Sequence, residues 1–550
     1  MNIPERFNAA SYFIDRHLDE GRAAKVAVLC GGRQFTYQQI AESVNRAANA
    51  LARAGAGRSD RVLIALHDSP AFIAAFWGAI KLGAVAVPVS TAQSAAEYAF
   101  ALGDSGARAV VVQDVLFDKI APALAGTPGE IGQGARGQTG VSPAVLLAGG
   151  ARDANSEIRV SNFQFQISNF ESELAQSSPE ATAAPTRRDG PAFWLYTSGS
   201  TGRPKAAIHR HRDMLYCLEG FAKGVLQITA ADRTFSASKL FFAYGLGNGL
   251  YFPFGVGAET VLVPDRATPE RVFEVIARHR PTIFYGVPSL YAAMLQAASS
   301  LPGDAGGTPG AGCDMSSVRA AVSAGEALPA ALWQRFRDRF GIEILDGIGS
   351  TEMLHMFLSN YPGDIAPGSS GRLVPGYAVK IVDEHGQDVT PGEMGNLWAR
   401  GGSAAAGYRN RPELTEATFL HHPDGEWIVT GDKYRRDERG RYWHCGRSDD
   451  MLKVHGLWVS PLEIESALIA HPAVAECAVV GARDKDGLVK PKAYAVLAGP
   501  VANTVALQSE LLEFLKAQLP SYKVPRWLVI AGSLPKTATG KIQRYRLRGQ

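Results

Sequence analysis

A short segment rich in glycine and hydroxyl side chains follows an apolar run near the middle of the chain. It spans Tyr196–Lys205 and continues directly from Phe193–Leu195. Glycines let a backbone approach an anion closely, N–H and hydroxyl groups donate to phosphate oxygens, and a lysine adds a positive charge. The segment therefore predicts a strand that leads into a phosphate-binding loop. Its candidate phosphate contacts are Thr197, Ser198, Gly199, Ser200, Thr201, Gly202 and Lys205.

The spacing of this loop excludes a P-loop. A P-loop has four residues between its two glycines and a lysine directly after the second. Here two residues separate Gly199 from Gly202, and Arg203 and Pro204 precede Lys205. A flexible Ser/Gly linker is the alternative that the loop alone leaves open.

Size and composition indicate a globular protein of more than one domain. The chain has 550 residues, of which 46% are hydrophobic and 20% charged, and one hydrophobic core stops growing well below this length. The net charge of +3 and the absence of a basic block give no indication of a nucleic-acid or membrane partner. The longest apolar stretch, around Ala71–Ile80, is too short for a membrane span, and the start of the chain has no apolar core of a secretory signal. The five cysteines are scattered without a C-x-x-C pair, which favours a reducing cytoplasm.

Short β-rich runs alternate with helical patterns from residue 25 onward, which is typical of an α/β fold with a parallel sheet. Thr36 and Gln39 form a capping box that predicts the start of a helix. Residues 125–188, in which Gly, Ala, Ser, Pro and Gln dominate, are expected to form an irregular surface excursion. The first predicted strands are Val26–Leu29, Arg61–Leu66, Ala84–Val89 and Ala109–Val112.

The last third of the chain predicts two smaller structures. Short runs broken by Gly and Pro over Gly371–Arg400 favour a small β-barrel-like subdomain. A boundary is expected after Arg447, and Ser460 with Glu463 forms a capping box that opens a new helix. We therefore expect an N-terminal domain of residues 1–447 and a C-terminal α+β domain of residues 448–550.

Several motifs, in order along the chain, resemble those of the adenylate-forming superfamily, which comprises acyl-CoA synthetases, peptide-synthetase adenylation domains and luciferases. The loop at Tyr196–Lys205 is similar to the signature loop of that superfamily, and the motifs together cover nearly all of the chain apart from 125–188. The resemblance implies a large multi-subdomain N-terminal α/β region that binds AMP and the acyl group, and a small mobile C-terminal domain. It also implies ATP, Mg²⁺ and coenzyme A as cofactors, and a carboxylic acid as substrate.

The resemblance assigns residues to the nucleotide. Ser323–Glu326 resembles the segment that lines the adenine, and Asp346–Glu352 resembles the Gly-aromatic-Gly-x-Thr-Glu element. In that element Thr351 would contact the α-phosphate, and Glu352 would help to hold Mg²⁺, which prefers carboxylate oxygen. Ile348 departs from the family pattern because it stands where an aromatic residue usually meets the adenine. The implied adenine and ribose contacts are Gly325, Glu326, Asp346, Gly347, Ile348, Asp432 and Arg447.

Further motifs resemble the segments that act in the two half-reactions of the superfamily, which are adenylate formation and acyl transfer to coenzyme A. Asp432 would hold both ribose hydroxyls through its two carboxylate oxygens, and Asp449 matches the hinge about which the C-terminal domain rotates. Gly456 matches the glycine past which the pantetheine arm of coenzyme A runs. Lys541 matches the lysine that stabilises the charge of adenylate formation, and we predict it to be catalytic together with Thr351 and Glu352.

The segment expected to hold the acid is similar to that of benzoate–CoA ligases. Ala243 and Tyr244 would flank a flat ring, Gly349 would leave room for it, and His355 would close the far wall. A substituted benzoate such as 4-hydroxybenzoate or 2-aminobenzoate, or another carboxylic acid, stays open as substrate. Loading of a carrier protein and non-catalytic binding of an acyl-adenylate are the alternatives of another class. Only small-molecule partners are expected, with a homodimer left open.

Overall fold

The computed structural model describes residues 1–124, 143–150, 158–160, 163–165, 167–198, 204–299, 313–454, 457–485, 487–499, 501, 503–536 and 542–548. The chain forms two compact units. The first comprises Met1–Arg266, Ser350–His355 and Gly401–Phe419, and the second comprises Ala267–Gly349, Met356–Arg400 and Leu420–Gln550.

The helices and strands of the described residues follow in chain order. The α-helices are α1 Arg16–Asp19, α2 Tyr37–Arg53, α3 Pro70–Leu82, α4 Ala95–Ser105, α5 Phe117–Leu124, α6 Phe170–Gln176, α7 Asp213–Cys217, α8 Ala243–Leu246, α9 Phe252–Val256, α10 Pro269–His279, α11 Pro288–Ser299, α12 Ala330–Phe340, α13 Pro412–Thr418, α14 Pro461–Ile469, α15 Thr504–Gln518 and α16 Arg544–Leu547. Short π-helical segments span Ser11–Asp15, Leu218–Lys223 and Gly247–Tyr251, and a 3₁₀ turn spans Asp114–Leu116. The strands are β1 Val26–Cys30, β2 Arg33–Thr36, β3 Arg61–Ala65, β4 Val85–Pro88, β5 Ala109–Gln113, β6 Ala144–Ala148, β7 Ile158–Val160, β8 Phe163–Phe165, β9 Ile167–Asn169, β10 Pro191–Ser198, β11 Pro204–Arg210, β12 Arg233–Ser236, β13 Glu259–Leu262, β14 Ile283–Gly286, β15 Ala320–Ser323, β16 Ile344–Gly349, β17 Met356–Ser359, β18 Arg372–Leu373, β19 Tyr377–Val382, β20 Gly395–Gly401, β21 Phe419–His422, β22 Gly425–Arg436, β23 Tyr442–Arg447, β24 Leu452–Val454, β25 Leu457–Val459, β26 Val474–Arg483, β27 Val489–Leu497 and β28 Trp527–Ile530.

The first unit is built on a seven-stranded sheet in the order β11-β10-β4-β3-β5-β6-β9. Its central strands run parallel and are almost entirely buried, as parallel strands covered on both faces must be. The same unit contains β12, β13, β1 and β2, of which the first three are parallel. Strand β11 pairs antiparallel with β10 at the edge of this sheet, so the two strands are the arms of a β-hairpin.

Within the described residues the second unit contains four β structures, of which the pair of β24 and β25 is the smallest. Strands β14, β15 and β16 run parallel, and β17 and β18 continue antiparallel from them. A five-stranded sheet has the order β19-β20-β22-β21, with β23 paired to β22. Strands β19 and β20 begin within the predicted range Gly371–Arg400, and the other three strands lie beyond it. Strands β26, β27 and β28 carry α14 and α15 on one face, around a core that includes Ile464, Val479 and Leu511. This last part has the α+β character expected for the C-terminal residues.

Local sequence signals explain the helix that was predicted first. The hydroxyl of Thr36 accepts from the N–H of Gln39, and the Gln39 amide oxygen accepts from the N–H of Thr36. Helix α2 therefore begins with the predicted capping box, and its apolar stripe is buried. The four strands predicted first lie within one residue of their observed ends.

Two expectations need correction. Within 125–188, Ala144–Ala148 is a buried strand of the seven-stranded sheet, and Phe170–Gln176 is a helix. The irregular excursion is therefore wrong for these residues, because a composition average hid one short apolar run. At Ser460 only half of the capping box forms, since Ser460 accepts from the N–H of Glu463 but the Glu463 carboxylate pairs with Lys523. The boundary at 447 to 448 stays a prediction.

Candidate active site

The strands that flank the predicted phosphate-binding loop lie at the edge of the seven-stranded sheet. Strands β10 and β11 pair antiparallel, with Thr197 opposite Lys205 and Ser198 opposite Pro204. The hairpin therefore fixes both ends of the predicted loop. Gly199, Ser200, Thr201 and Gly202, which the sequence assigns to the phosphates, lie outside the described residues.

Lys205, Glu352 and Tyr408 converge beside this hairpin. The Lys205 ammonium lies 2.5 Å from the Tyr408 hydroxyl and 3.3 Å from the Glu352 Oε1 atom. The Tyr408 hydroxyl also hydrogen-bonds to the same carboxylate oxygen. The three side chains are largely buried, with 20% of Lys205 and 13% of Glu352 exposed. The first unit thus brings together two predicted site residues and one that the sequence did not reveal.

This arrangement tunes the charge of Glu352. Burial favours the neutral acid, but the Lys205 charge and the Tyr408 hydroxyl outweigh it, and the pKa of Glu352 falls below its ordinary value. Glu352 is therefore a carboxylate at neutral pH. Within the described ranges there is no cluster of three or more side chains suited to a metal. A Mg²⁺ ion held by one carboxylate and by substrate phosphates fits such a donor set.

The turn that carries Thr351 and Glu352 is fixed by hydrogen bonds to its backbone. His209 contacts the Thr351 carbonyl through Nε2 at 2.8 Å, and its Nδ1 lies 3.2 Å from the Asp213 carboxylate. The Glu352 carbonyl accepts from the N–H of Ala405 at 2.8 Å. Leu354 takes a φ of 66°, a left-handed conformation that a leucine adopts only under constraint. These hydrogen bonds therefore hold the turn that carries Glu352 in one conformation.

His355 closes a ring of aromatic side chains in the first unit. Its ring centroid lies 4.6 Å from that of Phe252, 5.0 Å from Phe221 and 5.6 Å from Tyr244. Its Nε2 atom lies 3.0 Å from the Asn248 amide oxygen, so the imidazole N–H donates there. Burial lowers the pKa of His355 to about 3, and the ring is neutral. The structure thus brings His355 and Tyr244 together.

Close packing against His355 explains the glycine at position 247. Ala243 and Tyr244 begin α8, which continues into the π-helical segment Gly247–Tyr251. A Cβ atom at Gly247 would lie 2.7 Å from the His355 ring and 2.9 Å from the Tyr251 hydroxyl, so only glycine fits. π-helical segments occur frequently at functional sites. Gly349, the fourth predicted acyl residue, ends β16 in the second unit.

The predicted ribose residues face each other across two paired strands of the second unit. Asp432 lies opposite Arg447, and its Oδ1 atom lies 3.3 Å from the Arg447 guanidinium and 3.4 Å from His444. Burial opposes ionisation of Asp432, but His444 and Arg447 outweigh it and lower its pKa. A Cβ at Gly431 would lie 2.8 Å from the guanidinium, which explains the glycine before Asp432. The site therefore offers a charged carboxylate.

The predicted adenine segment is held by a buried acid. Asp346 on β16 accepts from the N–H of Leu328, and burial raises its pKa to about 7. Its side chain therefore helps to fix the turn after β15, and its contact to the nucleotide stays a prediction. Gly325 takes a φ of 98° within that turn. Gly347 and Ile348 continue β16, and a Cβ at Gly347 would meet the Leu358 carbonyl at 2.4 Å.

The end of the chain lies beside this segment. The backbone N–H of Ile542 donates to Glu326 at 2.8 Å. Lys541, the preceding residue and predicted catalytic cation, lies outside the described residues, as does Gly456. At the predicted hinge, Asp449 lies 3.6 Å from Arg447, and its carbonyl accepts from Arg548.

Four residues that contact the predicted site residues were not predicted from the sequence, namely Tyr408, Asn248, His209 and His444. Tyr408 and Glu352 are 56 positions apart and Asn248 and His355 are 107 apart, so no local pattern connects them. His209 carried a detectable signal, because a histidine in a β-rich run with an aspartate four residues later is a common buried pair. His444 carried none.

Comparison with known families identifies the class of protein. The model of the AMP-binding enzyme matches residues 15–409, and that of the AMP-binding enzyme C-terminal domain matches residues 463–541. The chain belongs to the AMP-binding enzyme family. It therefore has the mixed α/β fold of adenylate-forming enzymes, with a large N-terminal region and a small C-terminal domain.

Individual proteins of the family show more specific similarities to this chain. The chain is 46% identical to the benzoate–CoA ligase of Thauera aromatica over 100% of this chain and 97% of that protein. It is 40% identical to the 4-hydroxybenzoate–CoA/benzoate–CoA ligase of Rhodopseudomonas palustris, over 98% and 94% of the two chains. The crystal structure of a benzoate CoA ligase from Burkholderia xenovorans LB400 superposes with a TM-score of 0.84 at 41% identity, covering 98% and 100%. None of the helices in the described part of the chain has the length and apolar character of a membrane span.

Proposed function

We propose that this chain is an ATP-dependent benzoate–CoA ligase. It joins benzoate to AMP with release of pyrophosphate, and then transfers the benzoyl group to coenzyme A with release of AMP. The observation that carries the proposal is the full-length similarity to a benzoate–CoA ligase at 46% identity. The ionised Glu352 beside the phosphate hairpin supports the same chemistry.

In the first step a benzoate oxygen attacks the α-phosphorus of ATP, and the bond to pyrophosphate breaks. The N–H and hydroxyl groups of the hairpin loop, with Lys205, would bind the phosphates, and Thr351 would contact the α-phosphate. Lys541 would stabilise the charge that builds on the non-bridging oxygens. The Ile542 hydrogen bond to Glu326, beside the predicted adenine segment, supports that placement.

Magnesium would be held by Glu352 and would neutralise charge on the phosphates when bound. The protein's own part is to keep Glu352 ionised, which Lys205 and Tyr408 do. Asp432 would accept from both ribose hydroxyls, and the ion pair with Arg447 keeps it charged for that purpose.

In the second step the thiolate of coenzyme A attacks the acyl carbon, and the bond to the AMP oxygen breaks. We expect the C-terminal domain to rotate about Asp449 between the steps, so that Lys541 leaves and Gly456 approaches. A carrier-protein thiol in place of coenzyme A, and a non-catalytic binder, stay as alternatives that product analysis separates.

The aromatic side chains around His355 favour a flat, apolar acid as the substrate. Phe221, Tyr244 and Phe252 surround a neutral imidazole whose N–H is already donated to Asn248. The imidazole N–H is therefore not available to a para-hydroxyl, which could only donate to the His355 Nδ1 atom, an acceptor that has no partner within the described residues. 4-Hydroxybenzoate is the second candidate substrate, because one relative is named for both acids.

Compartment and assembly are part of the proposal. The five cysteines are scattered along the sequence without a C-x-x-C pair, which supports a reducing cytoplasm. A homodimer stays a prediction, and sedimentation velocity of the purified chain distinguishes a dimer from a monomer.

Product analysis tests the function. Purified protein with benzoate, ATP, Mg²⁺ and coenzyme A should yield benzoyl-CoA, AMP and pyrophosphate in equal amounts. Omission of coenzyme A should leave benzoyl-adenylate on the protein. ADP and phosphate in place of AMP and pyrophosphate would contradict the mechanism, and pyrophosphate release without benzoyl-CoA would favour a carrier-loading enzyme.

A further inference from the structure

Strand β11 carries two side chains that contact the turn of Thr351 and Glu352. Lys205 and His209 are four positions apart on this strand, so their side chains lie on the same face of the sheet. The Lys205 ammonium pairs with the Glu352 carboxylate. The His209 Nε2 atom lies 2.8 Å from the Thr351 carbonyl oxygen. One strand therefore contacts both a side chain and the backbone of this turn.

The His209 ring is enclosed and has an acceptor at each nitrogen. The side chain is 0% exposed, and the Phe193 ring stacks on it with 5.1 Å between the centroids and 20° between the planes. Its Nδ1 atom lies 3.2 Å from the carboxylate of Asp213, which is also fully buried. A carbonyl and a carboxylate oxygen only accept, so the ring donates through both nitrogens. These contacts fix the orientation of the ring.

A second basic side chain completes a buried network around Asp213. The N–H and Nε groups of Arg210 donate to the Asp213 carboxylate at 2.9 and 3.2 Å. The Arg210 guanidinium also donates to the Ala404 carbonyl, and the N–H of the next residue, Ala405, donates to the Glu352 carbonyl at 2.8 Å. A buried carboxylate is costly unless it is paired. The two groups that pair with Asp213 thus reach the turn of Glu352 from two sides.

We propose that His209 is a positioning residue for adenylate formation, a role that rests on the proposed function and on the assignment of Thr351 and Glu352 to catalysis. The Thr351 carbonyl closes the turn by accepting from the Leu354 N–H at 3.1 Å, and His209 is a second donor to the same oxygen. Without that donor the turn is free to move relative to Lys205. A misplacement of about 1 Å costs about 10²-fold in rate in a well-positioned site.

Amide substitutions separate the roles of the two ring nitrogens. The amide in His209→Gln reaches about as far as Nε2 and donates to Thr351, whereas the amide in His209→Asn reaches about as far as Nδ1 and Asp213. His209→Asn should slow pyrophosphate release by about tenfold or more under saturating benzoate and ATP, and His209→Gln should stay within a few-fold of the wild type. Their Tm values should be similar, since each keeps one hydrogen bond. Asp213→Asn, which removes the charge that faces Nδ1, should slow the same step to a smaller extent.

His211→Asn is the matched control. His211 lies two positions further along the chain and is 1% exposed, and its Nδ1 atom accepts from the Ala9 N–H at 3.2 Å. Its other ring nitrogen has no partner in the described part of the chain. The variant should lower the Tm but leave pyrophosphate release within a few-fold of the wild type.

The ratio of each variant's rate to that of the wild type tests this inference, whereas the wild-type rate with benzoate tests the proposed function. Pyrophosphate release with another acid but not with benzoate would contradict the proposed substrate alone, and the ratios are then measured with that acid. A folded His209→Asn or Asp213→Asn variant with the wild-type rate would overturn the inference. So would a His209→Gln variant as slow as His209→Asn, or an equal loss of rate in His211→Asn.

Discussion

At the scale of single residues, the neighbours of two buried groups decide whether each group is ionised or neutral. Glu352 is held ionised by Lys205 and Tyr408, whereas His355 is held neutral by its apolar surroundings. The sequence placed Glu352 and His355 in the site through motif resemblance. It could not show their partners, because those contacts join segments far apart in the chain. Their electrostatic roles therefore required the structure.

Tyr408→Phe tests the charge of Glu352. Loss of the hydroxyl removes one of the groups that lower the pKa of Glu352, so that pKa rises and the carboxylate becomes protonated at a higher pH. Pyrophosphate release should fall about tenfold, the value of a hydrogen bond to a charged group. The acid limb of the pH profile should move to higher pH.

The control for this prediction is Tyr361→Phe, whose hydroxyl donates to the Leu373 carbonyl. It should leave the rate and the pH profile unchanged. An acid limb that stays in place in Tyr408→Phe would exclude the electrostatic role.

Asn248→Ala tests the pairing of His355. The variant leaves the imidazole N–H without its acceptor in an apolar pocket, so a para-hydroxyl on the substrate gains a partner. The ratio of kcat/KM for 4-hydroxybenzoate to that for benzoate should rise about tenfold. Asn396→Ala, which removes contacts to the Asp383 carbonyl and the Glu384 carboxylate, should not change it. A constant ratio in Asn248→Ala would place His355 away from the para position.

At the scale of elements, local signals predicted the regular parts of the fold. The capping box at Thr36 and the apolar runs of β3, β4 and β5 depend on nearest neighbours, and the structure confirms them. Strand β6 was missed because its five apolar residues lie between segments rich in Gly and Ser. The π-helical segment Gly247–Tyr251 was also missed, because Gly247 is required by its contact to His355 and not by a local motif.

Gly247→Ala tests this close packing. The new Cβ atom would lie 2.7 Å from the His355 ring, so the ring must shift. Overpacking of this kind costs about 1–3 kcal/mol of unfolding free energy. KM for benzoate should rise while KM for ATP stays near its original value.

Gly103→Ala is the control, because no atom lies within 4 Å of the new Cβ in helix α4. Its stability should be equal or slightly higher, since alanine favours a helix more than glycine does. A Gly247→Ala variant with unchanged Tm and unchanged KM for benzoate would contradict the packing argument.

At the scale of the whole molecule, the account depends on two half-reactions separated by a domain rotation. Asp449→Pro fixes φ at the predicted hinge, and within the described residues the Asp449 N–H that it removes donates to no backbone carbonyl. We expect the variant to retain one half-reaction and to lose the other about tenfold or more. Adenylate formation and thioester formation from supplied benzoyl-adenylate are measured separately.

Asp449→Ala is the matched control for the hinge, since it removes the charge that faces Arg447 but keeps the backbone free. Both half-reactions should remain within a few-fold of the wild type. Equal loss of both steps in Asp449→Pro, with a normal Tm, would exclude a hinge at this residue.

The central claim is that the chain activates benzoate in preference to other acids. The most direct measurement is kcat/KM for benzoate, 4-hydroxybenzoate, 2-aminobenzoate and hexanoate under saturating ATP and coenzyme A, followed by AMP formation. Benzoate should be preferred over hexanoate, and discrimination against 4-hydroxybenzoate should stay within about 10²-fold, since an apolar pocket rejects an added hydroxyl weakly. Hexanoate at parity with benzoate would contradict the account, and a large preference for 4-hydroxybenzoate would replace its substrate.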